Sequence, residues 1–326
     1  MDGRLMLEVQ AERTQAAPGG LQVRLYTTTG YVIKEWVVPS GANGVPETSM
    51  ISADCLAADA HYDVRFFALD CGTSYRWKYT VAPPVFAADA EPNNATGNAI
   101  VLPPSTPGTG HLDFLPQLEG TGDNADFFRM DLPTEGVLHV NVEAEHGDAA
   151  ADGTLEILVL RSTGATLATW QAPVGANSTP TSTSFSLPCM GTTIPYYLRL
   201  VSSTCGVSYR VSWSVSTPFY ANDAEPNDSY SVGIPMDLSG SWYDGHIGFE
   251  NATDDDYYRF THPGGDFSVT LSAEHVGASE GSMTLAMMNS NGAGFGTFVV
   301  PVGASSTPLT NTFTVADLPA GANYSM

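Results

Sequence analysis

An all-β protein is predicted, built from tandem antiparallel β-sandwiches of jelly-roll type that repeat about every 134 residues. Three observations carry this. Apolar segments such as "VLHVNVEAE", "LEILVL", "YYLRLVS" and "YRVSWSV" alternate or run for five to nine residues, the spacing of strands. Gly, Pro, Ser and Asn separate them, and long helical periodicity is absent. The same segments also recur along the chain, the signature of a repeat architecture.

The opening strand is written three times: "GRLMLEVQAE" (3–12), "GVLHVNVEAE" (136–145) and "DFSVTLSAE" (266–274). So is one turn: "VPSGANGVP" (38–46), "APVGANSTP" (172–180) and "VPVGASSTP" (300–308). Gly30, Gly164 and Gly292 occupy matching tight turns, and "CGTSYRWKY" (71–79) matches "CGVSYRVSW" (205–213). Cys55 to Cys189 and Asp89 to Asp223 are both steps of 134. The expected domains are 1–85, lacking its entrance; 86–218, complete; and 219–326, lacking its last strands. Both ends thus fall inside a repeat, where a cut exposes strand edges. This predicts a piece of a longer array whose secretion signal lies elsewhere, since "MDGRLMLEVQAE" has no basic-then-apolar leader.

Composition narrows the partners. The 326 residues hold 12 Lys/Arg against 35 Asp/Glu, a net charge of −23, which excludes nucleic acid and anionic membrane surfaces. Residues 1–84 carry seven basic and nine acidic side chains, so the remaining 242 hold nearly all the excess. An apolar fraction of 43% supports a packed core, and no apolar run approaches the roughly 18–20 residues of a membrane helix.

The acidity is organised. "AADAEPNNAT" (87–96) and "ANDAEPNDSY" (221–230) open the second and third copies. A second acidic cluster follows each, "GDNADFFRMDLP" (122–133) and "TDDDYYRFTHPGG" (253–265). Carboxylates at alternate positions beside amides make a poor core strand and a good oxygen cage for a hard cation. Without a cation they would repel and raise some of their own pKa values. Neither motif offers sulfur or imidazole for zinc. The alternative is a solvated acidic turn in which Asp caps its own backbone.

The order D-x-E-P-N, variable loop, D-[FY]-[FY]-R-[MF], then G-x-[LF]-x-V resembles the bacterial pre-peptidase C-terminal (PPC) domain family. It also resembles that family's relatives, the collagen-binding domains of secreted clostridial collagenases. The resemblance covers the middle copy and the other two as far as they extend. It implies a secreted, calcium-binding β-sandwich beside a catalytic or adhesive domain. The implied calcium ligands are Asp89, Glu91, Asn93, Asn94, Asp123, Asp126 and Phe127, the last through its carbonyl. In the third copy they are Asp223, Glu225, Asn227, Asp228, Asp256 and Tyr257, with Thr253 in place of Asp123.

Catalytic signals are weak. "GASEG" (277–281) fits a serine-hydrolase pattern, but it lies between strands and its counterpart "GDAAADG" has no Ser. The seven His do not cluster; His111 aligns with His246 and His146 with His275, as structural positions at strand ends. Trp36 and Trp170 align as core candidates. Of the N-x-[ST] sites at Asn94, Asn177, Asn227, Asn251 and Asn323, two fall inside the proposed metal cage.

Cys55, Cys71, Cys189 and Cys205 suit disulfides in an oxidising compartment. Pairing inside a repeat would have to span the strand "YYLRLVSS", roughly 26 Å, whereas bridged Cα atoms lie within about 7 Å. Either a loop folds back, giving Cys55–Cys71 and Cys189–Cys205, or the bridge joins neighbouring repeats, for instance Cys55–Cys205.

The expected function is non-enzymatic: a secreted, calcium-stiffened segment of an extracellular fibre, stalk or surface filament, its partners neighbouring repeats or copies of itself. One alternative is an adhesive module for collagen or polysaccharide, which predicts exposed aromatics equivalent in all copies; Tyr75 and Tyr209 are candidates, although a core or edge role is the favoured one for them. Another is the accessory segment of a secreted protease.

Overall fold

The computed structural model describes residues 2–326 apart from 18, 59, 70, 115–123, 148–152, 203, 224, 250–253, 278–279 and 305–306. It is essentially all β. The first copy supplies β1 (Gly3–Arg13), β2 (Gly19–Thr27), β3 (Val32–Ser40), β4 (Glu47–Leu56), β5 (Tyr62–Ala68) and β6 (Thr73–Ala82). The middle copy opens with β7 (Ile100–Val101), β8 (Gly108–Leu112) and β9 (Ala125–Met130). It continues with β10 (Gly136–His146), β11 (Gly153–Arg161), β12 (Thr166–Val174), β13 (Thr181–Met190), β14 (Tyr196–Ser202) and β15 (Val207–Ser216). The third contains β16 (Ile234–Pro235), β17 (Tyr258–Thr261), β18 (Gly265–Ala273), β19 (Gly281–Asn289), β20 (Gly294–Val302), β21 (Leu309–Leu318) and β22 (Asn323–Ser325).

One sheet plan recurs. The orders β4-β1-β6, β13-β10-β15-β8 and β18-β21 are versions of one sheet. The orders β3-β2-β5, β12-β11-β14-β9-β7 and β20-β19-β22-β17-β16 are versions of the other. The short pairings β7–β9 and β16–β17 are parallel. By contact the chain forms two compact units, Met1–Met130 with Asn141–Ser184 and Tyr196–Ser212, and Asp131–Val140 with Phe185–Pro195 and Trp213–Met326.

Alternation explains the strands. Along β1, Leu5, Leu7, Val9 and Ala11 turn inward while Arg4, Met6, Glu8 and Gln10 face outward. The inward set meets Leu21, Val23 and Leu25 of β2 in one core cluster. Each such Leu contributes about 1.5–3 kcal/mol when fully buried. The third copy has a smaller core of Phe260, Phe267, Met287, Leu318 and Tyr324.

The repeated turn has a steric cause. A Cβ on Gly41, Gly175 or Gly303 would lie 1.9, 1.8 or 1.9 Å from the carbonyl oxygen of Val45, Thr179 or Thr307. Only glycine fits, so the turn is spelled alike three times. Gly30, Gly164 and Gly292 have φ of 87°, 85° and 76°, and each amide closes a tight turn onto the residue three before it.

The structure decides between the alternatives that the sequence leaves open. The disulfide joins Cys55 to Cys205, with Cα atoms 5.6 Å apart, while Cys71 and Cys189 are free and exposed. Pairing within a repeat fails because β5 and β14 stay extended between the cysteines. Of the two aromatic candidates, Tyr209 is 0% exposed, in the core role favoured over surface exposure, while Tyr75 is 48% exposed. Trp36 and Trp170 are half-buried; Trp36 packs against the first copy's core cluster with Lys34 lying over its ring.

Candidate metal centres at two repeat entrances

In the middle copy the segment after Phe86 is tied to β9. The Phe127 amide donates to the Asn93 carbonyl at 3.0 Å, the Asn93 amide to Glu91 Oε2 at 3.0 Å, and Asn93 Nδ2 to Asp89. Asp126 enters from β9, fully buried beside the inward-facing Phe128 and Met130. Tyr209 of β15 donates its hydroxyl to Asp126 Oδ2 at 2.5 Å and packs edge-on against Phe128.

Oxygens of Asp89, Glu91 and Asp126 all lie within 4.8 Å of one another. Burial, then the Asp89 charge, pushes Asp126 up to about 8; burial also raises Asp89. Two buried oxygens at the cluster, Asn93 Oδ1 and Asp126 Oδ1, have no hydrogen-bond partner. Buried acceptors without partners are costly, and here they sit beside three crowded carboxylates.

The third copy repeats the arrangement. Asp223, Glu225 and Asp256 converge within 4.8 Å, the Tyr257 amide donates to the Asn227 carbonyl at 3.1 Å, and Asn227 Nδ2 donates to Asp223 Oδ2 at 2.6 Å. Here Asp223 Oδ1, Asn227 Oδ1 and Asp256 Oδ1 are the unpartnered oxygens. Burial, then Asp223, pushes Asp256 up to about 7. The Glu–Pro peptide is cis in both copies. Bare backbone lines this cluster: a Cβ on Gly245 would lie 2.8 Å from Asp256 Oδ2 and 3.1 Å from Asp223 Oδ2.

The donor set fits a hard cation. Every candidate atom is oxygen, the ligands include carboxylates and an amide, and two or three of the oxygens lack any other partner. Cys55, Cys205 and His146 also lie close together, but both sulfurs are committed to the disulfide.

Not every expected ligand is gathered. Asn94 is exposed; Asp123 lies outside the described residues, as do Thr253 and Ser279 of "GASEG". Asp228 is exposed and faces Asp254, whose pKa is raised, first by burial. For Phe127 the amide is the group engaged with the entrance segment, and the Tyr257 carbonyl already accepts the Ile234 amide at 2.7 Å.

Several site residues were missed by sequence reasoning. Tyr209 anchors Asp126, and Tyr258 replaces it in the third copy by donating to Asp223 Oδ2 at 2.9 Å. Asp254 is another. The signal available was the shared "GH" of Gly110-His111 and Gly245-His246, which marks backbone passing against the cluster.

Those histidines are clasps. His111 Nδ1 meets Asp2 Oδ2 and its Nε2 meets the Phe86 carbonyl, both at 2.8 Å. His246 meets Glu135 Oε2 and the Tyr220 carbonyl, both at 2.9 Å. Asp2 and Glu135 directly precede the equivalent glycines Gly3 of β1 and Gly136 of β10. Burial opposes a charge on His111, but the Asp2 hydrogen bond and the Phe86 carbonyl outweigh it and hold its pKa above the ordinary value. The linkers are also held through their amides: Val85 donates to Glu145 Oε1 at 3.1 Å and Phe219 to Glu274 Oε1 at 2.6 Å.

No protein-family model matches the chain, and no curated protein matches it in sequence. Among solved structures it is similar to the N-terminal CBM22-1–CBM22-2 tandem domain of Paenibacillus barcinonensis Xyn10C, at 10% identity over 66% of this chain and 79% of that one, TM-score 0.23. The tandem CBM51 modules of a Streptococcus pneumoniae family 98 glycoside hydrolase match at 10% identity over 66% and 78%, TM-score 0.22. The insecticidal delta-endotoxin Cry8Ea1 of Bacillus thuringiensis matches at 9% over 66% and 53%, TM-score 0.24. Scores this low, spread over such different proteins, carry no argument about function.

Proposed function

We propose that the chain is a non-catalytic, extracellular tandem-sandwich scaffold of the PPC type, in which calcium at each repeat entrance stiffens the path from one repeat to the next. The observation that carries this is the duplicated cage. Two entrances place a carboxylate trio and a buried Asn side-chain oxygen at equivalent positions, and each cage lies beside the clasp that holds the linker. A cation there would cancel the repulsion and fix the entrance segment to β9 or to the start of β17. The disulfide between the first and middle copies suits an oxidising compartment and the same mechanical role. Among the described residues no helix is long and apolar enough to cross a membrane.

Thermal unfolding with calcium and with chelator tests the proposal. Calcium should raise the midpoint by several degrees, and an unchanged midpoint would reduce the cages to solvated acidic turns.

A second reading, an adhesive module for collagen or polysaccharide, draws on one feature. Tyr75, Trp77 and Tyr79 are exposed along β6, with Phe66 stacked on Tyr75 at 4.6 Å between centroids. Their counterparts Tyr209, Val211 and Trp213 are buried, so the stripe is the inward face of a sheet, which in the middle copy β8 extends at its edge and Phe128 of β9 packs against at Tyr209. That favours the scaffold reading. Retention on immobilised collagen or polysaccharide that Trp77→Ala abolishes would reverse the preference.

A further inference from the structure

The end of β10 brings a third soft donor to the disulfide. A ring nitrogen of His146 and the sulfurs of Cys55 and Cys205 all lie within 4.8 Å of one another. Cys55 is 5% exposed and His146 4%, so the group is shielded from solvent. Cys55 comes from the end of β4, His146 is the last residue of β10, and Cys205 lies in the turn before β15. Three segments distant in sequence thus converge on one point. Beside them is a cavity of about 20 Å³, lined in part by Cys55, Glu145, Ser178 and Gly206. It has room for one water. Glu145 is 1% exposed, and its Oε2 has no hydrogen-bond partner. A buried carboxylate oxygen in that state favours a proton donor or a cation nearby.

The disulfide needs no imidazole to close. Reduced, however, the same trio is a donor set for a soft divalent ion: zinc takes thiolate and imidazole in tetrahedral sites, and two Cys with one His leave a fourth position for water. Two thiolates sharing a tetrahedral ion stand about 3.8 Å apart. Cα atoms 5.6 Å apart allow this by side-chain rotation alone.

We infer that Cys55, His146 and Cys205 bind a zinc-type divalent ion when the disulfide is reduced, the fourth position opening on the cavity that Glu145 lines. The first and middle copies then have two alternative locks, a sulfur–sulfur bond in oxidising surroundings and a metal–thiolate site in reducing ones. A small dithiol supplies the reduction. It gives two electrons and two protons to the S–S bond and closes into its own cyclic disulfide. The two protein thiols then lose their protons to solvent as the ion binds.

The test uses the full chain carrying Cys71→Ser and Cys189→Ser, two exposed positions, so that only Cys55 and Cys205 remain as thiols. It is reduced under argon with a water-soluble phosphine and titrated with cobalt(II). The thiolate-to-cobalt charge-transfer band reports sulfur ligation and is silent for the oxygen cages, so this inference and the calcium proposal fail separately. One equivalent should bind with the visible bands of a tetrahedral site, and zinc should displace it. The unreduced chain should show no band. His146→Ala should weaken zinc binding by more than about tenfold, and thermal unfolding of its unreduced form shows whether the variant folds. Cadmium NMR of the reduced chain identifies the imidazole without that substitution, through coupling of the metal to the His146 ring protons. No charge-transfer band after reduction, or a bound metal without coupling to His146, would overturn the inference.

Discussion

Calcium added at pH 7 should expel protons from this protein, and the structure sets how many. Asp126, fully buried, has its pKa pushed up to about 8 by burial and then by Asp89. At pH 7 such a carboxyl is roughly nine-tenths protonated. Asp256, at about 7, is about half protonated. A cation requires both as carboxylates, so filling the two cages should release about 1.4 protons per chain at pH 7 and about 0.1 at pH 9. Proton competition should weaken apparent affinity at the middle cage about tenfold between pH 9 and pH 7.

Isothermal titration in buffers of different ionisation enthalpy reads this directly, because the slope of observed heat against buffer enthalpy is the proton count. Release below about 0.3 at pH 7, or a count that does not fall by pH 9, would refute the electrostatic account of the cages even if calcium bound. The sign for stability follows. A carboxyl whose folded pKa is raised stabilises the fold fully below its unfolded value of about 3.9, and that contribution is lost as pH rises through the folded value. The chelated protein should therefore lose stability between about pH 4 and pH 8, by on the order of 5 kcal/mol from Asp126. Saturating calcium should flatten that profile.

Asp126→Asn should abolish the calcium response of the middle cage yet leave the chelated protein at pH 8 as stable as the parent or more so, because it removes a buried charge; differential scanning calorimetry with and without calcium separates this from simple damage. Cys55→Ser with Cys205→Ser opens a loop of 150 residues, for which chain entropy gives about 5 kcal/mol of lost stability; urea unfolding of the double variant under non-reducing conditions checks it. Gly175→Ala places a methyl 1.8 Å from the Thr179 carbonyl oxygen and should cost several kcal/mol, whereas Gly164→Ala, at a turn with nothing within 4 Å, should cost only about 1–2 kcal/mol of backbone strain; parallel urea titrations compare them.

Much of the fold was legible because strand alternation and turn sterics both write themselves into local sequence. "GRLMLEV" reads as a half-buried strand without its partner, and "VPVGASSTP" repeats because a carbonyl approaches a glycine too closely for any other residue. That the D-x-E-P-N and D-[FY]-[FY]-R segments form paired acidic clusters was legible for the same reason, since carboxylate spacing is local, and the structure brings one carboxylate of the second segment to two of the first. What stayed hidden depends on strands far apart in the chain. Tyr209 reaches Asp126 across 83 residues and His111 reaches Asp2 across 109, and neither spacing has a sequence pattern of its own. Alignment of His111 with His246 detected the position but not its acid. That acid is Asp in one copy and Glu in the other, displaced outside every motif.

The disulfide shows how far the repeat argument reaches. Strand length had already made a bridge within a repeat difficult, because an extended strand lies between the cysteines. Whether a loop folds back to close the bridge within a repeat or the bridge joins neighbouring repeats stayed open, because both of the first two copies carry a cysteine on either side of that strand. The structure resolves it at one junction: Cys55 closes the end of β4 onto the turn that leads into β15. The second junction keeps the same clasp chemistry, with Glu135, His246 and the Tyr220 carbonyl in place of Asp2, His111 and the Phe86 carbonyl. Clasp and cage recur at both described entrances, so these noncovalent elements are what the two junctions share.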